Sequence, residues 1–220
     1  MRSKTRPIRI LVTAGPTIEP IDPVRFMSNR STGFLGYEIA GLARKRKYQV
    51  TLISGPVNIL PPPGVKFIKI ETARELHQRV HLELKRADVL VMSSAVSDFK
   101  PKFFHKRKIK SKKEFGIRLV KNPDILGSIR PAERKGKIIV GFSLETDNLL
   151  ANSIRKRIDK RADLMIANKL DGENTPFGGG RKTVYLIDRL GRVKKLKNIT
   201  KPHIACAILD TIEELCYTPV

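Results

Sequence analysis

Short runs of aliphatic and β-branched residues alternate in this chain with stretches whose apolar residues recur every three or four positions, and that alternation constrains the fold most. Ile8, Ile10, Leu11 and Val12 open the series, and Leu35, Ile39, Leu42 and Ala43 follow at helical spacing. Residues 49–53 return to a strand pattern, and Phe67, Ile68 and Ile70 carry another strand over residues 66–70. Thr72 is placed to cap a helix with the stripe Leu76, Val80 and Leu84. Val89, Leu90, Val91 and Met92 form a continuous apolar run, as expected of a central parallel strand covered on both faces. Residues 137–142 and 164–167 read as further strands, and between them Leu150, Ile154 and Ile158 are expected to form the buried stripe of a helix. Residues 183–187 and 193–196 read as a hairpin at the sheet edge, and Ile204, Ile208, Ile212 and Leu215 as a closing helix. The pattern is that of an α/β, Rossmann-like three-layer fold with a mostly parallel central sheet. With 220 residues, no internal repeat and no long linker, a single domain over residues 1–220 is expected.

Residues 13–36, between the first strand and the first helix, are the main candidate site. Ligands of open α/β sheets dock beyond the carboxyl ends of the strands, where a helix N-terminus offers N–H groups to phosphate. The loop carries Glu19, Asp22, Arg25, Asn29, Arg30, Ser31 and Thr32, with Gly33 and Gly36 spaced for close backbone approach. Neither G-x-G-x-x-G nor G-x-x-x-x-G-K-[ST] is present, so a dinucleotide fingerprint and a Walker loop are not claimed. The structural alternative is an ordered connection with Ser31 or Thr32 as N-cap and glycines that let the helix pack on the strand.

The net charge of +23, from 44 basic and 21 acidic residues, suits polyanions or small phosphorylated substrates. Aromatic residues make up 6% of the chain and form no stacking pair within the basic run, which disfavours a nucleic-acid platform. No run of 18 apolar residues exists and the basic N-terminus lacks a signal-type apolar core, so no membrane span and a cytoplasmic location are expected. Cys206 and Cys216 lack metal-type spacing, and one buried and one terminal reduced thiol are expected.

Small residues after the central strand, Ser93, Ser94, Ala95, Val96 and Ser97, would let a ligand approach the backbone, and Asp98 would accept hydrogen bonds from it. Residues 100–113 hold eight Lys or Arg residues and read either as a solvated run or as a basic flap able to close over developing charge. Residues 117–120 suggest a short edge strand, followed by a proline-fixed turn into a brief helix. Lys156 and Lys160 fall on the side of their helix away from the apolar stripe, as an ordinary solvated face would.

Six ordered blocks together resemble phosphopantothenate–cysteine ligase. They are Gly15-Pro16-Thr17-x-Glu19-x-Ile21-Asp22-Pro23-Val24-Arg25; Ser28-Asn29-x-Ser31-Thr32-Gly33; Ala95-Val96-Ser97-Asp98-Phe99; Lys108-Ile109-Lys110; Lys121-Asn122-Pro123-Asp124-Ile125; and Val140-Gly141-Phe142-x-x-Glu145-Thr146. The resemblance implies coenzyme A biosynthesis: 4'-phosphopantothenate is activated by a nucleoside triphosphate, and L-cysteine captures the acyl nucleotide. Bacterial members of that family use CTP and eukaryotic members favour ATP; CTP is the expectation here, with Mg2+ accompanying the triphosphate and metal ligands unassigned.

The resemblance also implies roles. Asn29 would hold the acyl phosphate, Asp98 with the Ser94 and Ala95 backbone would bind the pantothenate arm, and Arg25 would reach the site of a partner in a homodimer. Lys108 would act from the flap, and Pro123, Asp124, Ile125, Leu126, Phe142, Lys156 and Lys160 would line the nucleotide pocket, to which Asp98 and Lys108 also belong. Departures from the family pattern are Thr32, Ser97 with Phe99, and Ser111, the last leaving one flap lysine's place to Lys112. Many bacterial members are fused to a flavin-dependent decarboxylase, which is expected here as a separate chain or not at all. Two rival functions share parts of the pattern: a nicotinamide- or flavin-binding oxidoreductase, and a basic nucleic-acid-binding module.

Overall fold

The structure is a computed structural model that describes residues 6–110, 114–170 and 180–217. Its strands are β1 (Arg9–Ala14), β2 (Ile18–Pro20), β3 (Phe26–Ser28), β4 (Gln49–Ser54), β5 (Lys66–Lys69), β6 (Val89–Met92), β7 (Phe99–Pro101), β8 (Leu119–Lys121), β9 (Ile138–Glu145), β10 (Leu164–Lys169), β11 (Lys182–Asp188) and β12 (Val193–Ile199). Its helices are α1 (Phe34–Lys45), α2 (Ala73–Leu84), α3 (Ile125–Ser128), α4 (Pro131–Arg134), α5 (Leu149–Asp159) and α6 (Lys201–Tyr217).

Eight strands form one sheet in the order β12-β11-β10-β9-β6-β1-β4-β5, parallel from β10 to β5, with the β11–β12 hairpin antiparallel at one edge. The chain steps outward from β1 to β4 and β5, then returns across β1 to β6. The connections after β1 and β6 therefore part company at a topological switch point, where a crevice opens. Strand alternation sorts the core into two faces. Ile10, Val12, Val89, Val91, Val140 and Ile166 pack under α1 and α6, while Leu11, Leu90 and Ile139 pack under α2 with Leu76, Val80 and Leu84. The three-layer α/β reading thus holds, and all four residues of β6 are buried as a central strand requires.

Four local expectations need correction. Leu150, Ile154 and Ile158 are exposed, and the inward residues of α5 are Ser153, which is buried, and Leu149, which packs on Met165, Ala167 and Ile187. Residues 119–121 pair with β7 in a separate two-stranded ribbon and not with the edge of the main sheet. The loop after β1 contains its own ribbon, β2 paired with β3. Cys206 and Cys216 are both half-buried free thiols, and Arg46 and Asp210 hydrogen-bond the first.

Candidate active site

The two loops at the switch point are joined before any ligand is considered. The Ala95 N–H donates to the Gly15 carbonyl at 2.9 Å, and the Thr17 N–H donates to the Ala95 carbonyl at 3.1 Å. The Ser94 N–H donates to Thr13 Oγ1 and its hydroxyl to the Ala14 carbonyl, each at 3.1 Å. Asn29 Nδ2 donates to the Ala95 carbonyl at 3.0 Å, so the loop after β6 sets the Asn29 side chain. The N–H groups of Ser94 and Ala95 are thus committed within the protein. Several polar residues of the first loop are pins as well. Thr17 Oγ1 accepts from the Ser97 N–H at 3.0 Å, and buried Glu19 accepts from the Ala73 N–H at 3.0 Å, at the start of α2.

The N-cap of α1 is Gly33, at φ 75°, and not Ser31 or Thr32; Ser31 Oγ accepts from the Gly33 N–H at 3.3 Å. A side chain at Gly33 would be strained at that φ and would meet the Gly15 backbone nitrogen at 3.1 Å. At Gly36 a Cβ would lie 2.6 Å from the Cβ of Ala14, so this glycine serves close packing of α1 on β1. No side chain caps α1, and residues 31–36 line the cavity, leaving first-turn N–H groups for an anion.

That cavity has a volume of about 450 Å³. It brings together Asn29, Ser94, Ala95, Asp98, Phe142 and Lys156 from the sequence-assigned set. Lys156 reaches it from the inward face of α5, with Nζ 4.0 Å from Glu145. Pro123, Asp124, Ile125, Leu126 and Lys160 lie outside its lining, on the α2 side of the sheet. There Asp124 caps α3 by accepting from the Gly127 N–H at 3.0 Å and pairs with Lys160. Burial alone would raise the Asp124 carboxyl, but the Lys160 hydrogen bond, the Gly127 N–H and nearby positive charge hold it below its ordinary value.

Arg25 and Lys108 also lie outside the cavity lining. Arg25 Nε donates to Asp22 at 3.0 Å and its Nη2 to the Ile109 carbonyl at 2.8 Å, while the Ile109 N–H donates to Asp22 at 3.1 Å. Burial would push Asp22 up; the Arg25 hydrogen bond and the Ile109, Val24 and Arg25 N–H groups outweigh it and hold the carboxyl well below the carboxylate range. The flap around exposed Lys108 is thereby tied to the first loop, and His105 N–H adds a bond to the Ile21 carbonyl at 3.0 Å. Ser111 and Lys112 lie outside the described residues.

Three lining residues, Asn168, Lys182 and Lys201, were not among the sequence-derived candidates. Asn168 stands at the carboxyl end of β10, paired in register with Val184. Because β11 runs antiparallel, its first residue, Lys182, returns to the same edge. Lys182 is opposite Ile199 across a register shift, and Lys201 follows two residues later at the start of α6. The signal was the hairpin itself: in an antiparallel strand the functional edge is the N-terminal one, and starting the strand at residue 183 leaves out the lysine.

Among the described residues no group of three or more His, Cys, Asp or Glu side chains is arranged to hold a metal. Among the described residues, the cavity lining offers one carboxylate, Asp98. A single carboxylate is a donor set that would fit Mg2+ arriving with a phosphate ligand, since that ion takes one or two carboxylates and keeps several waters.

A family model described as DNA/pantothenate metabolism flavoprotein C-terminal domain matches residues 5–216. The chain belongs to this family. The resemblance drawn from the six motif blocks agrees with it. A curated relative, the coenzyme A biosynthesis bifunctional protein CoaBC of Borreliella burgdorferi, is 39% identical over 93% of this chain and 52% of its own length. The chain spans about half the length of the curated relatives it matches. The crystal structure of a CoaBC C-terminal domain superposes with a TM-score of 0.81 at 33% identity, covering 94% of this chain and 95% of that one. A Cab2 mutant solved in complex with phosphopantothenate-cysteine has a TM-score of 0.72 over 96% of this chain and 89% of its own, and at 17% identity it shares the fold.

Proposed function

We propose that this chain is a ligase domain that joins 4'-phosphopantothenate to L-cysteine through an acyl-nucleotide intermediate. The observation that carries the reading is the placement of Asn29, Asp98, Phe142 and Lys156 around one cavity at the switch point, in a chain of the CoaBC C-terminal family. A carboxylate is a poor acyl donor. In the proposed sequence its oxygen attacks the α-phosphorus of CTP, the bond to pyrophosphate breaks, and the mixed anhydride acyl-CMP forms. The cysteine amine then attacks the acyl carbon, CMP departs, and the amine loses a proton. Asn29, held by the Ala95 carbonyl, presents a neutral amide where an anionic acyl phosphate must sit, and cationic side chains offset charge as it develops. Asp98 would help hold Mg2+ brought in with the triphosphate, and the ion when bound would supply neutralisation of phosphate charge.

The same reading makes the active form a homodimer. Val24, Phe26, Phe99, Phe103 and Phe104 are exposed on the two small ribbons and the start of the flap, an apolar surface suited to a second copy. Arg25 lies in that region. On this reading the domain would act in the cytoplasm. Among the described residues no helix is long and apolar enough to cross a membrane.

Quenching the reaction with CTP and phosphopantothenate, cysteine omitted, and reading masses tests the chemistry: acyl-CMP is expected. A parallel ATP arm decides the nucleotide. Pyrophosphate release without any acyl nucleotide would overturn the proposed intermediate. In a second arm with cysteine present, Lys108→Gln should let acyl-CMP accumulate while amide falls, if the flap closes after activation.

A further inference from the structure

The cavity does not end at the residues assigned above. Asp98 follows β6 and Lys182 opens β11, three strands away in the sheet, which is about 14 Å at the usual strand spacing. At the far end stand Lys182, only 5% exposed, and Lys201. Lys201 Nζ lies 5.6 Å from the centre of the Phe34 ring, so the starts of α1 and α6 face one another across this end. A second cavity of about 970 Å³ shares Ser31, Thr32, Phe34 and Lys201 with the first. Among the described residues of its lining, Lys69, Arg181 and Lys201 are cationic and none is acidic. Lys201 therefore stands at the junction of two spaces with a cationic rim.

We propose that Lys182 and Lys201 form a second anion subsite, at the end of the cavity opposite Asp98, which grips a phosphoryl group of a substrate. The inference rests on the ligase reading, in which every substrate except cysteine carries such a group. Two ammonium groups bracketing a helix-start pair suit a phosphoryl group: the lysines supply charge, and first-turn N–H groups supply directed donors. The electrostatics agree. Burial, and then the neighbouring Lys182 charge, hold the Lys201 ammonium below its ordinary pKa, and an anion between them would reverse the second effect. The phosphoryl group has two sources, the nucleotide triphosphate and the phosphate ester of phosphopantothenate, and the subsite chemistry is common to both.

Calorimetric titration of the full chain separates them. CTP, pyrophosphate, 4'-phosphopantothenate and unphosphorylated pantothenate are titrated into the unaltered chain and into Lys182→Met, Lys201→Met and Lys201→Arg, each first checked for a cooperative unfolding transition. Removing either charge should raise Kd for a phosphorylated ligand by about tenfold or more, the usual scale for a charge-assisted contact, while pantothenate is unaffected and Lys201→Arg binds nearly as the unaltered chain does. Losses confined to CTP and pyrophosphate assign the subsite to the nucleotide; losses confined to phosphopantothenate assign it to the ester. If Lys182→Met fails to fold, Lys201→Met decides alone. Kd changes under threefold for every phosphorylated ligand, or an equal loss for pantothenate, would overturn the subsite. An unaltered chain that binds these ligands yet forms neither acyl nucleotide nor amide would instead overturn the ligase reading and leave the subsite standing.

Discussion

Helices α2 and α5 cover the same face of the sheet, and each carries an apolar stripe at four-residue spacing, yet they use those stripes in opposite ways. In α2, Leu76, Val80 and Leu84 are 0%, 0% and 2% exposed; in α5, Leu150, Ile154 and Ile158 are 39%, 37% and 59% exposed. The inward face of α5 instead carries Leu149, Ser153, Lys156 and Lys160. Periodicity reports that a helix has a stripe, while the position of the sheet beneath decides which side is inside. Here α5 turns a partly polar face inward, and Lys156 reaches the cavity because of it.

The difference is open to direct attack, beginning with stability. Leu76→Ala should cost about 2–5 kcal/mol, as buried leucines do, and Ile158→Ala less than about 0.5 kcal/mol, both read from urea midpoints. Equal losses would show that the α5 stripe is covered. Next in size is a functional effect without a structural one. Lys156→Met should lower kcat/KM for the nucleotide by about 10- to 100-fold, on the scale of a lost charge-assisted contact, with the midpoint changed by under about 1 kcal/mol. A loss of stability matching the loss of activity would make Lys156 a structural residue.

Smaller effects sharpen the contrast. Ser153 is buried and its Oγ has no hydrogen-bond partner among the described residues, so Ser153→Ala should leave stability unchanged or raise it by up to about 1 kcal/mol. A clear loss would reveal a partner for the hydroxyl. The smallest is a pH effect beside α5. The Asp124 carboxyl is held below its ordinary value by Lys160, so its contribution is fully present above the ordinary carboxylate value, near pH 4, and is lost as pH falls through the lowered one. Both groups are partly exposed, which limits the effect to under about 1 kcal/mol, and Lys160→Met should flatten that acid limb.

Much of the fold was legible because it rests on local pattern. The continuous run of β6, the Thr72 cap of α2 and the edge hairpin all appear where apolar period and capping chemistry put them. Motif residues far apart in the chain do meet around one cavity: Asn29 just after β3, Asp98 just before β7 and Phe142 within β9. The site was not legible where tertiary geometry chose among equal local options. Gly33 caps α1 in place of two hydroxyl neighbours because its φ is positive and Gly15 leaves no room for a side chain. Glu19 and Asp22, two of the polar residues of the candidate loop, are pins for α2 and the flap. Lys182 gains its place from an antiparallel return that no single segment encodes.

The central claim is that the switch-point cavity activates phosphopantothenate with a nucleotide around Asn29. Pyrophosphate release measured with CTP and with ATP tests it most directly, for the unaltered chain and for Asn29→Asp, with and without phosphopantothenate and cysteine. The account predicts release that requires phosphopantothenate, becomes sustained when cysteine is added, and falls by at least about 100-fold in Asn29→Asp with the fold intact, since a carboxylate there faces both the Ala95 carbonyl and an anionic intermediate. Release indifferent to phosphopantothenate, or near-normal release by Asn29→Asp, would contradict it.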